Sequence, residues 1–124
     1  MQRKDTRRLD SIIKEYFRSK YSACEKCGDT KRQMHVHHFF GRKNLSVRWD
    51  LDNLFHICSY CHKLSPDSAH ENPSEFEDWA IEKRGQEWYD RLLIKKRAKV
   101  LGVPMDFDDV MLKLSFQLHE REEV

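Results

Sequence analysis

The chain has 124 residues, of which 35% are charged, and a formal net charge of +2. Its mean hydropathy is −0.85, so core-forming residues are scarce. This length suits one ordinary domain and is too short for two independent cores. No apolar run is long enough to span a membrane, and the N-terminus lacks the apolar segment of a signal peptide. We therefore expect a cytoplasmic protein with no membrane partner.

Charge is unevenly distributed along the chain. Residues 1–48 hold 13 Lys/Arg against 5 Asp/Glu, whereas residues 49–124 hold 10 against 16. Residues 5–20 predict an amphipathic helix with a basic outer face, because apolar side chains recur there at helical spacing: Leu9, Ile12, Ile13, Tyr16 and Phe17. Such a basic face suits a polyanion, and an ordinary solvated surface is the alternative.

Two short strands are predicted next. Residues 33–40 are rich in β-branched and aromatic side chains and predict a first strand, and residues 54–57 predict a second strand antiparallel to it. The polar residues 41–53 predict the loop between them. Residues 58–62 predict a turn from the second strand into a helix.

The remainder of the chain has helical patterns. One helix is predicted to begin at Asn72 and Pro73 and to end at Gly85, since proline favours the first helical position and glycine the position after the last. Residues 86–101 predict another helix, and Asp106 is placed to cap a final one.

Four cysteines form two C-x2-C pairs, Cys24 with Cys27 and Cys58 with Cys61, separated by thirty residues. Each pair has the spacing with which two thiolates share one tetrahedral Zn²⁺. In a cytoplasmic chain this pattern favours metal ligands over disulfides, and four free thiols are the alternative. Four sulfur ligands leave no open coordination position, so we expect a structural zinc.

Histidines concentrate between residues 35 and 62. His37 and His38 lie late in the predicted first strand, Asn53 follows His38 by fifteen residues, and His62 follows Asn53 by nine. Imidazoles bind divalent metals and transfer protons near neutral pH, which are the two requirements of metal-dependent hydrolysis. This segment is therefore the candidate catalytic region.

The pattern V-H-H, D-N-L and C-x2-C-H, within residues 24–65, resembles the HNH (ββα-metal) endonuclease superfamily, particularly its branch with a four-cysteine zinc ribbon. Residues 46–53 and the helix near Asn72 are also similar to phage recombination nucleases of the NinG type, which often have asparagine at the position of His62. The resemblance implies an enzyme that hydrolyses DNA phosphodiester bonds and leaves a 5′ phosphate.

The same resemblance implies roles for individual residues. His38 would be the general base that deprotonates water, and His37 and His62 would hold one Mg²⁺ or Mn²⁺. Asn53 would orient His38 or the loop around it, and an Asx-turn is its alternative role. Three cations of the loop are candidate DNA-phosphate contacts, with ordinary surface charge as the alternative: Arg42, Lys43 and Arg48.

Strand alternation raises a geometric question about this site. It points His37 and His38 to opposite faces and places His35 on the face of His37. A bulge or strand end at Gly41 would turn both toward one metal, and His35 is an alternative ligand. His35, apart from that alternative, and His56 are predicted to be structural, and His70 and His119 are predicted to lie on the surface.

The predicted fold class is α+β, with a two-stranded antiparallel ββα-metal motif stapled by zinc and surrounded by helices. We expect a single domain over residues 1–124, with a basic helix in 1–23, the zinc-stapled core in 24–65 and a helical part in 66–124. A non-catalytic zinc-ribbon module that binds nucleic acid is the alternative function. A homodimer that cuts both strands is a further hypothesis.

Overall fold

The structure, a computed structural model, describes residues 1–98 and 106–122. It confirms the α+β class, with helices around one two-stranded antiparallel sheet. The elements in chain order are α1 (Arg3–Lys20), β1 (Met34–His38), β2 (Leu54–Cys58), α2 (Pro73–Arg84), α3 (Gln86–Arg97) and α4 (Phe107–Glu122). Within the described ranges, no helix combines the length and apolar character needed to cross a membrane.

The two strands pair in a regular antiparallel register. Met34 lies opposite Cys58 and His38 lies opposite Leu54, with every intervening residue paired in turn. The pairing is continuous to His38, where β1 ends three residues before Gly41, and it contains no bulge. Gly41 also lacks the left-handed backbone conformation found at Gly28 and Gly85. His37 and His38 consequently lie on opposite faces of the sheet.

Each face of the sheet packs on a separate hydrophobic cluster. On the face of Phe55, the buried side chains come from β2, α2 and α3, and they include Phe76, Ala80, Trp88 and Leu92. On the face of Leu54, they come mainly from α1 and α4, and they include Leu9, Ile13, Phe17, Trp49 and Leu114. The sheet is thus the layer shared by both groups of helices, and it fixes the histidines of β1 between them.

The helix boundaries follow local capping chemistry. α1 begins two residues before the predicted position because Gln2 and Asp5 form a reciprocal capping box. The side chain of Asn72 accepts a hydrogen bond from the backbone N–H of Glu75 and starts α2, which ends at Gly85 as predicted. The predicted end of α3 at residue 101 lies outside the described residues.

The segment after β2 differs from the predicted helix. It forms only one wide turn, Tyr60–Leu64, closed by a hydrogen bond from Ser65 N–H to Tyr60 C=O at 2.8 Å. Pro66 lacks the N–H that a continuing helix needs. The chain instead folds back, and His70 N–H donates to His62 C=O at 3.1 Å. This return brings a second histidine to the turn that carries His62.

Candidate active site and zinc site

The four cysteines converge on one point. Their sulfur atoms all lie within 4.8 Å of one another, and the Sγ atoms of Cys27 and Cys58 are 3.7 Å apart. Gly28 adopts φ +79°, a left-handed conformation that lets the first cysteine pair close into a tight turn. The donor set and its compactness fit a tetrahedral Zn²⁺, so the cluster indicates zinc binding.

The pKa of the Cys24 thiol is lowered within this cluster. Burial raises the pKa of this thiol, but hydrogen bonds from the backbone N–H groups of Cys27, Cys58 and Lys26 outweigh burial and lower that pKa to about 7. Burial raises the pKa of the Cys61 thiol. Cys24 is therefore the thiol best prepared to bind a metal as thiolate.

A second cluster consists of histidines on the Phe55 face of the sheet. The ring centroids of His37 and His62 are 5.0 Å apart, and the Nε2 atoms of His62 and His70 are 3.2 Å apart. Candidate ligand nitrogens of these three residues all lie within 4.8 Å of one another. Two nitrogens bound about 2.1 Å from one ion lie roughly 3 Å apart, so this spacing fits a shared divalent metal.

His35 contacts the same cluster through His62. Its Nδ1 lies 2.8 Å from Nδ1 of His62, which is hydrogen-bond distance. His62 therefore turns Nδ1 toward His35 and Nε2 toward His70. An imidazole whose second nitrogen is held by a neighbour has a fixed ring orientation, as metal-binding histidines commonly have.

The imidazoles of this cluster are held neutral. Burial, with a smaller contribution from the nearby His62 and His70, lowers the pKa of His37 to about 3. Burial and the neighbouring His70 and His35 lower the pKa of His62 to about 4. At neutral pH both rings thus keep the lone pairs that metal binding requires.

His38 faces the other way, toward α1. Burial lowers its pKa to about 4, with Arg42 contributing in the same direction and Asp10 of α1 opposing. The nearby Arg48 backbone also raises this pKa. Its Nε2 is buried without a hydrogen-bond partner among the described residues. The structure does not bring the His38 ring into contact with His62.

Asn53 connects the end of β1 to the start of β2. It is fully buried, and its side-chain Oδ1 accepts from the backbone N–H of Phe40 at 2.7 Å. Its Nδ2 donates to the Phe40 carbonyl at 2.9 Å, and its own carbonyl accepts from Phe39 N–H at 2.8 Å. Asn53 thus holds the chain immediately after His38 and does not touch the His38 ring.

The three loop cations differ in their surroundings. Arg42 and Lys43 are exposed, and Arg42 is close enough to influence the pKa of both His38 and His62. Arg48 instead forms a 2.9 Å ion pair with Asp10. The Asp10 carboxylate also accepts a hydrogen bond from Trp49 Nε1. Arg48 therefore ties the loop to α1.

Cavities do not by themselves locate the site. A cavity of about 500 Å³ lies beside His56, where Arg84 and Arg121 already pair with acidic side chains. A smaller cavity of about 170 Å³ borders His37 and Phe76. The chemistry of converging imidazoles favours the smaller cavity.

The antiparallel hairpin, the four-cysteine cluster and the buried asparagine all lie within one segment of the chain. Residues 24–67 match the family model described as HNH endonuclease. The match covers 44 of the 124 residues, so this segment is similar to HNH endonucleases, and the similarity indicates nuclease activity. No curated protein and no solved structure matches the chain significantly. The similarity to NinG-type nucleases stays a prediction.

Sequence reasoning correctly placed His70 on the surface but did not associate it with the site. Its contact with His62 depends on the backbone hydrogen bond that folds residues 65–72 back on the preceding turn. The turn-forming run S-P-D-S between the two histidines was the available signal.

Proposed function

We propose that this protein is a divalent-metal-dependent endonuclease that hydrolyses DNA phosphodiester bonds and leaves a 5′ phosphate. The observation that carries the proposal is the convergence of His37, His62 and His70 beside a hairpin that matches the HNH endonuclease family. A Mg²⁺ or Mn²⁺ ion bound there would polarise the phosphodiester and stabilise the departing oxygen.

In this proposal His37 and His62 hold the ion as neutral imidazoles, and His70 adds a third nitrogen. His35 fixes the ring of His62 through the 2.8 Å contact between their Nδ1 atoms. Exposed Arg42 and Lys43 contact the phosphates that flank the cut. Arg48 acts indirectly, by holding the loop on Asp10.

His38 is the proposed general base. In this proposal its ring proton sits on Nδ1, on the side of the Arg48 backbone, because Nε2 has no partner among the described residues. The neutral ring then has its lone pair at Nε2, where it takes a proton from water. Since Nε2 is shielded from solvent in the free protein, the exposed part of the loop around Arg42 must move when DNA binds.

Nicking of supercoiled plasmid with Mg²⁺ or Mn²⁺ tests the proposal. His38→Asn is expected to lower the rate by roughly 100-fold or more, the usual contribution of a general base. His119→Asn, on the exposed surface of α4, is the control and should cut like the parent. Equal rates for His38→Asn and the parent, with zinc content and unfolding temperature unchanged, would contradict the assignment.

The shielding of His38 Nε2 also favours a second candidate, a zinc-ribbon module that binds nucleic acid without cutting it. Such a module would bind one zinc per chain and no second divalent ion. Titration of Mn²⁺ into the zinc-loaded protein, followed by calorimetry, distinguishes the two functions. One further Mn²⁺ site supports the nuclease, and no additional site supports the binding module.

We further propose that residues 1–124 form one domain, because both groups of helices pack on the same sheet. A cytoplasmic location and a homodimer stay predictions. Size-exclusion chromatography with light scattering measures the oligomeric state.

A further inference from the structure

The exposed face of α1 is strongly and one-sidedly basic. Positions separated by four, seven and four residues fall on one side of a helix, and here they are all cations: Arg3, Arg7, Lys14 and Arg18. We call these four residues the basic stripe. Lys4 and Arg8 flank it, and all six side chains are exposed. From Arg3 to Arg18 the stripe extends over fifteen residue-to-residue steps, or about 22 Å of helix.

The acidic residues of α1 do little to neutralise the stripe. Asp5 accepts from Gln2 N–H in the capping box at 3.0 Å. Asp10 is occupied by Arg48 and Trp49, at 2.9 and 2.8 Å. Glu15 and Arg18 are 3.9 Å apart, and both side chains are exposed to solvent. Exposed ion pairs of this kind are weak.

The stripe lies on the helix that packs against β1. Val36 of β1 packs against the hydrophobic cluster that contains Leu9 and Ile13 of α1. Asp10 of α1 pairs with Arg48, in the loop after β1, at 2.9 Å. α1 therefore runs beside the strand that carries the proposed catalytic residues.

We propose that the basic stripe of α1 is a docking surface for the phosphate backbone of double-stranded DNA, on one side of the cleavage site. This inference rests on the proposed nuclease function and assigns the form of its substrate. The charge of the stripe is complementary to phosphates along its whole length, as sequence-independent backbone binding requires.

The composition of this face favours a duplex over a single strand. Proteins that bind single strands combine cations with aromatic side chains on which the bases stack. The exposed positions of α1 carry no aromatic residue. The aromatic residues of the helix are turned inward, with Phe17 in the hydrophobic cluster and Tyr16 packed against it. This face thus offers contacts to phosphates and none to bases.

The direction of the stripe predicts an asymmetric footprint. From Lys14, the neighbour of Ile13 on the part of α1 that packs near β1, to Arg3 the helix extends about 16 Å. At 3.4 Å per base pair this corresponds to roughly five base pairs on one side of the bound metal site. Hydroxyl-radical footprinting should show this extra protection with the parent protein and not with a variant that lacks the stripe.

The decisive experiment measures DNA binding against salt without added divalent ions, so that no cleavage occurs. A labelled 20-base-pair duplex and its single strand are titrated at several NaCl concentrations. In the triple variant Arg3→Gln, Arg7→Gln and Arg18→Gln, the slope of log K against log salt should flatten by about 2.7, and affinity at 0.1 M salt should fall about 100-fold or more.

Two matched variants complete the test. Lys83→Gln, Arg91→Gln and Lys113→Gln remove the same charge from exposed positions on other helices, and should keep nearly the parent slope. Replacing the three stripe arginines by lysine should restore the slope, because phosphate binding here requires charge. Equal losses in both glutamine variants, or tighter binding of the single strand than of the duplex, would overturn the inference. Plasmid nicking by the parent protein tests the nuclease separately.

Discussion

The Nε2 atoms of His62 and His70 lie 3.2 Å apart. The His62 ring is uncharged at neutral pH, because burial and the neighbouring His70 and His35 lower its pKa to about 4. Two imidazole nitrogens at this distance can bind one divalent ion without further movement. His70 is therefore a candidate third ligand of the metal, beside His37 and His62.

Replacing His70 by alanine should weaken Mn²⁺ binding at least about tenfold, or about 1.4 kcal/mol, because one nitrogen ligand is lost. The nicking rate at a limiting Mn²⁺ concentration should fall, and saturating Mn²⁺ should restore part of it. Calorimetric Mn²⁺ titration and nicking assays measure the two effects. An unchanged Mn²⁺ affinity in His70→Ala would remove His70 from the site.

Asn53→Ala should destabilise the protein by about 2–3 kcal/mol, since it leaves the buried N–H and C=O of Phe40 without their side-chain partner. Activity should fall even where the variant is fully folded, because the chain after His38 is no longer held. Urea unfolding and nicking at a saturating metal concentration measure the two losses.

Asn53→Asp is the informative companion variant. Its carboxylate retains an acceptor for Phe40 N–H but loses the donor to Phe40 C=O, and it adds a buried negative charge. It should therefore be no more stable than the alanine variant at neutral pH and should recover stability on acidification. A stable and fully active Asn53→Asp protein would contradict the proposed clamp.

Local spacing explains how much of this site is predictable from sequence. Cys24 and Cys27, like Cys58 and Cys61, are adjacent through short covalent turns, so their convergence needed only the pairing of two strands. The opposite orientation of His37 and His38 also follows from strand alternation alone. The cysteine cluster was predicted outright, whereas the opposite orientation of the two histidines was predicted with a bulge or strand end at Gly41 as the alternative.

The features that were missed depend on tertiary contacts. Arg48 pairs with Asp10 across thirty-eight residues, and no local pattern distinguishes it from the exposed Arg42. The helix expected after Cys61 ends after one turn because residues 65–72 find hydrogen bonds on that turn instead. The same hydrogen bonds position His70.

Zinc removal should unfold the central segment. The cysteine cluster joins the turn before β1 to the end of β2, and the exposed Cys27 gives a chelator access. We expect a large decrease in unfolding temperature after chelation and its recovery on adding back Zn²⁺, as in domains that need the metal to fold. Circular dichroism measures both steps. Cys58→Ser should reproduce the loss, whereas an unchanged unfolding temperature after complete zinc removal would show that the site is not structural.

Stability should decrease as the pH falls below about 6.5, and His37 should account for part of this loss. Burial keeps the folded-state pKa of His37 near 3, whereas the unfolded chain has the ordinary value of about 6.5. Between these values the unfolded state binds a proton that the folded state excludes, so acid favours unfolding. From pH 7 to pH 5 the expected loss is up to about 2 kcal/mol for this one group. His37→Phe, which packs beside Phe76 without titrating, should lose less free energy of unfolding over the same interval. Urea denaturation of both proteins at the two pH values, without added divalent ions, measures the difference, and identical pH dependence would show that His37 is freely protonated in the folded protein.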